Sequence, residues 1–126
     1  MKITIHDKKK IHEIQKEFCI VFPNLKLEFF DEPHGTKKAS HKRLLLDSTK
    51  SIAESRRVHS KGEMVIVPHM TVSEVKHAFG EPFGLSVEVY RKVGDTWLEP
   101  TIDHWTLEKH NASASELNAE NTLERI

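Results

Sequence analysis

Residues 64–99 read MVIVPHMTVSEVKHAFGEPFGLSVEVYRKVGDTWLE, and the succession of patterns in this stretch decides the fold. Residues 64–67 form a continuous apolar run that stops at Pro68, which predicts a buried central strand. Thr71-Val72-Ser73-Glu74 then fits a capping box, in which the Thr71 hydroxyl serves the Glu74 N–H and the Glu74 carboxylate reaches back. Met70 and Val75 fall at the staple positions around it. Val72, Val75 and Phe79 repeat at helical spacing, Gly80 suits a helix C-terminus, and Pro82 opposes continuation. Leu85, Val87 and Val89 alternate with Ser86, Glu88 and Tyr90, the period of a half-buried strand. Gly94-Asp95 is a two-residue hairpin signal, and 96–99 return antiparallel until Pro100.

Working toward the N-terminus, Ile3 and Ile5 mark a short first strand. Asp7 is placed to cap a helix whose stripe is Ile11, Ile14, Phe18 and Val21. Pro23-Asn24 ends that helix. Leu25, Leu27 and Phe29 alternate with Lys26 and Glu28 as a second strand, and strand–helix–strand suggests a parallel crossover. Residues 31–36 are a loop by composition. A helix is expected over about 41–57, with Leu45 and Ile52 on one face. Toward the C-terminus, 101–111 reads as a loop and one helical turn carrying Ile102, Trp105 and Leu107. The polar 112–126 reads as a tail, helical or disordered.

The expectation is one α+β domain over 1–111 followed by that tail. Its sheet is mixed, with about five strands and three helices in the order β-α-β-α-β-α-β-β. The strand–helix–strand–turn–strand unit at 63–99 gives it a partly β-grasp-like character.

The chain has 126 residues, enough for one core. At 37% hydrophobic and 30% charged residues, it is too apolar for full disorder and too polar for a membrane protein. No apolar run nears the roughly 20 residues needed to span a bilayer. The opening Met1-Lys2-Ile3-Thr4-Ile5-His6-Asp7 turns polar too early for a secretory leader. Cys19 stands alone, so no internal disulfide forms. The expected location is the cytoplasm. Nineteen basic and 19 acidic residues cancel, but 1–63 carry 14 basic against 9 acidic and 64–126 carry 5 against 10. The whole chain lacks a nucleic-acid charge footprint, and the two halves are expected to attract each other within the fold or between copies.

Phe83 through Lys92, with Trp97-Leu98-Glu99 and Asp103-His104-Trp105-Thr106-Leu107, resembles a small bacterial α+β domain family with no assigned activity. The resemblance covers about 63–110. It implies a compact cytoplasmic domain and carries over no catalytic residues.

Candidate chemistry is sparse. Nine histidines invite a metal, yet no His-x-x-x-His, Cys-x-x-Cys or His-Glu-x-x-His spacing occurs. Gly-x-Ser-x-Gly and the phosphate-loop patterns are also missing. Cys19 lies beside a buried helical stripe and reads as a core thiol. No catalytic residue, metal site or cofactor is assigned. Two surfaces remain. Lys37, Lys38, Lys42 and Arg43, joined by Arg56 and Arg57 if the fold allows, form a candidate phosphate or nucleic-acid contact. Tyr90, Trp97, His104 and Trp105 form a candidate interaction surface, because aromatic groups with polar handles favour protein interfaces. The leading expectation is a non-enzymatic protein-interaction or regulatory domain, binding a protein partner or itself. Nucleic-acid binding is the alternative, and a small hydrolytic or metal-dependent enzyme using Asp103 and His104 is the second.

Overall fold

The structure, a computed structural model, describes residues 1–31, 44–98 and 102–124. Its elements are β1 (Lys2–Ile5), α1 (Ile11–Val21), β2 (Leu25–Asp31), β3 (Leu44–Leu45), a 3-10 turn (Ala53–Ser55), β4 (Gly62–Val65), α2 (Val72–Phe83), β5 (Ser86–Val93), β6 (Thr96–Leu98) and α3 (Leu107–Glu124). The class is α+β with three helices among the described residues, of which α1 and α2 stand where the periodicities put them.

The sheet is not mixed. Among the described residues every ladder is antiparallel, and the strands divide into a two-stranded ribbon, β1-β4, and a four-stranded sheet, β3-β2-β5-β6. β1 and β2 do not pair, so the expected parallel crossover is absent. α1 instead carries the chain from the ribbon to the sheet. The β-grasp comparison fails for the same reason, because β4 pairs with β1 while β5 pairs with β2 and β6.

Residues 64–67 do not form a central strand. β4 is an edge of the ribbon, with Met64 and Ile66 buried and Val65 exposed, so an apolar run proves to be half in contact with solvent. No helix occupies 44–57. Leu44 and Leu45 pair with Asp31 and Phe30, and only one 3-10 turn follows. Its serines take local bonds instead: Ser51 N–H and Oγ both engage Glu54 Oε2, and Ser55 Oγ donates to the Ser51 carbonyl. The element order therefore runs β-α-β-β-β-α-β-β-α. Residues 41–43 lie outside the described residues.

α2 begins as its capping box dictates. Thr71 Oγ1 accepts from the Glu74 N–H at 3.1 Å, and Glu74 Oε1 accepts from the Thr71 N–H at 3.2 Å. It ends four residues later than Gly80 suggests. The helix runs through Pro82, whose missing donor is tolerated in the last turn, and stops at Gly84 with φ 65°. A Cβ at Gly84 would collide with Val58 Cγ2, so both the conformation and the close approach require glycine. In the β5–β6 turn, Gly94 has φ 62°, and among the described residues no non-glycine has positive φ. That is the type II′ pattern of a two-residue hairpin.

α1 buries Ile11, Ile14 and Phe18, but Phe22 takes the core place expected for Val21, which is exposed. Asp7 does not cap α1. Lys10 is the N-cap, and its N–H donates to Glu13 Oε1 at 3.2 Å. α3 is one helix across position 111, so the tail expected after that position continues a helix whose start is buried.

One core joins both sheets. Ile3 and Ile5 from the ribbon, Phe18 from α1, Phe79 from α2, Leu27 and Phe29 from β2, Val87 and Val89 from β5, and Leu107 from α3 belong to one cluster. The Phe29 and Phe79 rings meet edge to face at 5.8 Å, which fixes α2 on the face of the sheet that carries Phe29.

Candidate interaction surface

Alternation along β2 and β5 gives the sheet two faces. Leu25, Leu27, Phe29, Val87 and Val89 enter the core. Lys26, Glu28, Tyr90 and Lys92 stand on the opposite face, where the register sets Lys26 beside Tyr90 and Lys92 beside Trp97. Lys26 Nζ lies 5.9 Å from the Tyr90 ring centre and 5.0 Å from that of Trp97, and Lys92 Nζ lies 6.0 Å from Trp97. The Lys26 ammonium thus lies within cation–π range of both rings. All four side chains are partly exposed.

The other two aromatic candidates lie elsewhere. Trp105 packs on the His110 ring at 5.1 Å, with Lys109 Nζ 4.1 Å from the indole centre. Its carbonyl accepts from the Val72 N–H at 3.1 Å, and the Asp103 carbonyl accepts from the Ser73 N–H at 2.9 Å. Residues 103–105 therefore satisfy the free donors of the first turn of α2. In return the Met70 and Pro68 carbonyls accept from Leu107 and Glu108, and Thr106 Oγ1 accepts from the Lys109 N–H. His104 is exposed. Among the described residues no ring contact joins Trp105 to Tyr90 or Trp97.

Lys37, Lys38, Lys42 and Arg43 lie outside the described residues. Arg57 is exposed. Arg56 is buried: Nη1 donates to the Phe83 carbonyl at 3.0 Å and Nη2 to Asp7 Oδ1 at 3.0 Å. His59 Nδ1 approaches Asp7 Oδ2 at 2.9 Å. The hydrogen bonds from Arg56 and His59 hold the Asp7 carboxyl below its usual range.

His6, His12, His59, His69, His77 and His104 are exposed, and His110 is buried. Among the described residues, no group of three His, Cys, Asp or Glu side chains is arranged to hold a metal. Asp103 faces Lys76 at 3.4 Å. Cys19 is half-buried. No helix among the described residues is long and apolar enough to cross a membrane. The ion pairs Lys9–Glu17, Arg56–Asp7, Lys76–Glu88 and Lys76–Asp103 each join two groups of the same half.

Two sets of residues escaped the reading of motifs. Lys26 and Lys92 flank the aromatic rings; the alternation of β2 already put Lys26 opposite the core. Glu88 is buried in mid-strand, with Oε1 3.0 Å from Lys76 Nζ. A charged residue inside an apolar alternation was its signal. A groove of about 420 Å³ runs beside this pair, lined by Ser73, Lys76, His77, Glu81, Val87 and Asp103 among others.

Comparison with protein-family models, with curated proteins and with solved structures found no match.

Proposed function

We propose that the chain is a small non-enzymatic interaction domain that binds a protein partner through the aromatic face of its sheet. One observation carries this reading: the Lys26 ammonium lies 5.9 Å from the Tyr90 ring and 5.0 Å from the Trp97 ring, with Lys92 beside Trp97. Aromatic rings give large contact area at little entropic cost, and the two ammonium groups suit a partner that brings carboxylates. Strands hold these side chains more rigidly than loops would, which lowers the ordering cost of binding. A cytoplasmic setting belongs to the proposal and rests on the sequence, as does kinship with the bacterial family that 63–110 resembles.

The test is affinity capture from a cell extract with wild-type protein, with Trp97→Ala and with Lys26→Glu, each with and without nuclease. A stoichiometric protein that survives nuclease and is lost with both variants supports the reading. Loss of about 2 kcal/mol, roughly thirtyfold in affinity, is the scale of an aromatic anchor. Equal capture by all three proteins overturns it. A second reading has its own support. Rings interleaved with lysines are also what a single-stranded nucleic acid stacks on, and capture that disappears with nuclease would favour that one.

A further inference from the structure

The ribbon β1-β4 has two edges, and the molecule treats them differently. The Ile66 N–H donates to the Met1 carbonyl at 2.9 Å, and the Met1 amine donates to the Ile66 carbonyl at 2.8 Å. Bonded pairs alternate along such a ladder, so Ile3 bonds Met64 and Ile5 bonds Gly62. Lys2, Thr4, Glu63 and Val65 then direct their backbone groups outward. At the β1 edge, the Thr4 carbonyl accepts from Lys9 Nζ at 2.8 Å. At the β4 edge, Val67 is closed by its own turn. Its N–H donates to Met70 Sδ at 3.3 Å, and its carbonyl accepts from the Met70 N–H at 3.1 Å. The outward N–H and C=O groups of Glu63 and Val65 have no hydrogen-bond partner among the described residues.

This edge lacks the usual guards. Glu63 and Val65 are both exposed, Val65 at 56%. β4 contains no lysine or proline, and its ladder runs without a bulge. Those are the devices that ordinarily deny an edge to another strand. Its one charge, Glu63, lies 3.8 Å from Lys2 Nζ, so this pair adds no net charge to the solvent face of the ribbon. Residues 64–67 also have the composition of a central strand, although in a single copy they lie at an edge.

We propose that a second copy of this chain covers the edge, by antiparallel pairing of β4 with β4 about a twofold axis at Met64. Glu63 of each copy then lies opposite Val65 of the other. This register satisfies every outward group of both residues. The neighbouring registers fail. One sets Glu63 against Glu63, and like charges directly opposite are destabilising. The other sets Glu63 against Val67, whose groups are already taken by Met70. In the favoured register each Glu63 keeps its own Lys2. The product is a four-stranded sheet, β1-β4-β4-β1, in which the apolar run is central. The contact is separate from the aromatic face, which belongs to the other sheet, and each can fail without the other.

The test is the mass of the whole chain in solution by sedimentation, with amide hydrogen exchange by NMR. Both are followed from about 1 µM to about 1 mM, the range in which a small interface forms. The mass rises toward two chains. Over the same range the Glu63 and Val65 amides slow by about tenfold, while those of Met64 and Ile66 keep their rates. Val65→Pro removes an N–H that faces outward, which an edge strand tolerates, and leaves one chain at every concentration. Val65→Glu does the same by setting a carboxylate opposite Glu63 of the second copy. Adding Glu63→Lys to Val65→Glu makes each cross-strand pair opposite in charge and restores the association. Melting of the variants in dilute solution, at the wild-type temperature, shows that they fold. A single chain at the top of the range overturns the proposal. A pair of chains that survives both Val65→Pro and Val65→Glu overturns it as well, by placing the contact on another face. Glu63 and Val65 amides that slow in a cell extract but not with concentration give the edge to a different partner and overturn it too.

Discussion

At the scale of single residues, Arg56 shows how unequal the two ends of an ion pair can be. Its side chain is fully buried, whereas that of Asp7 is 36% exposed. Remove the guanidinium, and water can still reach the carboxylate that remains. Remove the carboxylate, and a buried guanidinium is stranded, at a cost of about 3 kcal/mol. Asp7→Asn is therefore expected to lower the melting temperature more than Arg56→Met, and the double variant to be more stable than Asp7→Asn alone. Thermal denaturation of the three variants checks this; the reverse order would show that the burial of Arg56 is not what matters. The sequence contained both residues and no sign of their pairing, because they are 49 positions apart. His110 is a second case. Its Nε2 lies 2.9 Å from the Ile102 carbonyl, and its Nδ1 is buried without a partner among the described residues. Burial lowers its pKa from 6.5; the Ile102 carbonyl and Asp103 oppose that shift, while Arg91 and Lys109 reinforce it. The unfolded chain then takes up a proton before the folded one does. Stability is full above pH 6.5 and falls as pH drops through 6.5 toward the lowered folded value. His110→Gln, which keeps a donor and does not titrate, is expected to flatten the melting temperature between pH 7 and 5. An unchanged slope would assign it to another group.

At the scale of elements, legibility followed the range of the interactions that form each one. The α2 capping box, the Gly94-Asp95 turn and the alternation of β2 and β5 are local devices, and all appear where the sequence placed them. The end of α2 was misread because Gly80 and Gly84 are both locally acceptable. The helix ends where Gly84 turns to φ 65° with its N–H on the Gly80 carbonyl, and Val58 leaves no room for a side chain at that glycine. Gly84→Ala should therefore carry two separable costs, an αL strain of about 1 kcal/mol and a clash. Combining it with Val58→Ala relieves the clash and leaves the strain. Denaturant melts of Gly84→Ala with and without Val58→Ala measure the difference, and equal losses from the two would remove Val58 from the argument. The stretch 44–57 was illegible for a related reason. Its structure consists of a two-residue strand and a 3-10 turn, too short for any period to show. The surface was half legible: Tyr90 and Trp97 share a region as expected, but only the strand register reveals that Lys26 joins them.

At the scale of the whole molecule, alternation in a sequence identifies strands and says nothing about which strands pair. That is why β1 and β2 were placed side by side when they belong to different sheets. The ribbon β1-β4 has only two strands, and such a ribbon is marginal in water by itself. It persists because Ile3, Ile5, Met64 and Ile66 are buried in the same cluster as Leu27, Phe29, Val87 and Val89. The N-terminal amine adds to this by donating to the Ile66 carbonyl at 2.8 Å. If the shared core is what holds the ribbon, the ribbon cannot open while the sheet stays closed. Native-state hydrogen exchange should then give its paired amides the same opening free energy as those of the β2–β5 ladder, and both should fall together when Ile3→Ala removes about 2–5 kcal/mol from the core. A ribbon that exchanges well before the sheet would instead be an independently opening unit, and the cluster would be two cores in contact rather than one.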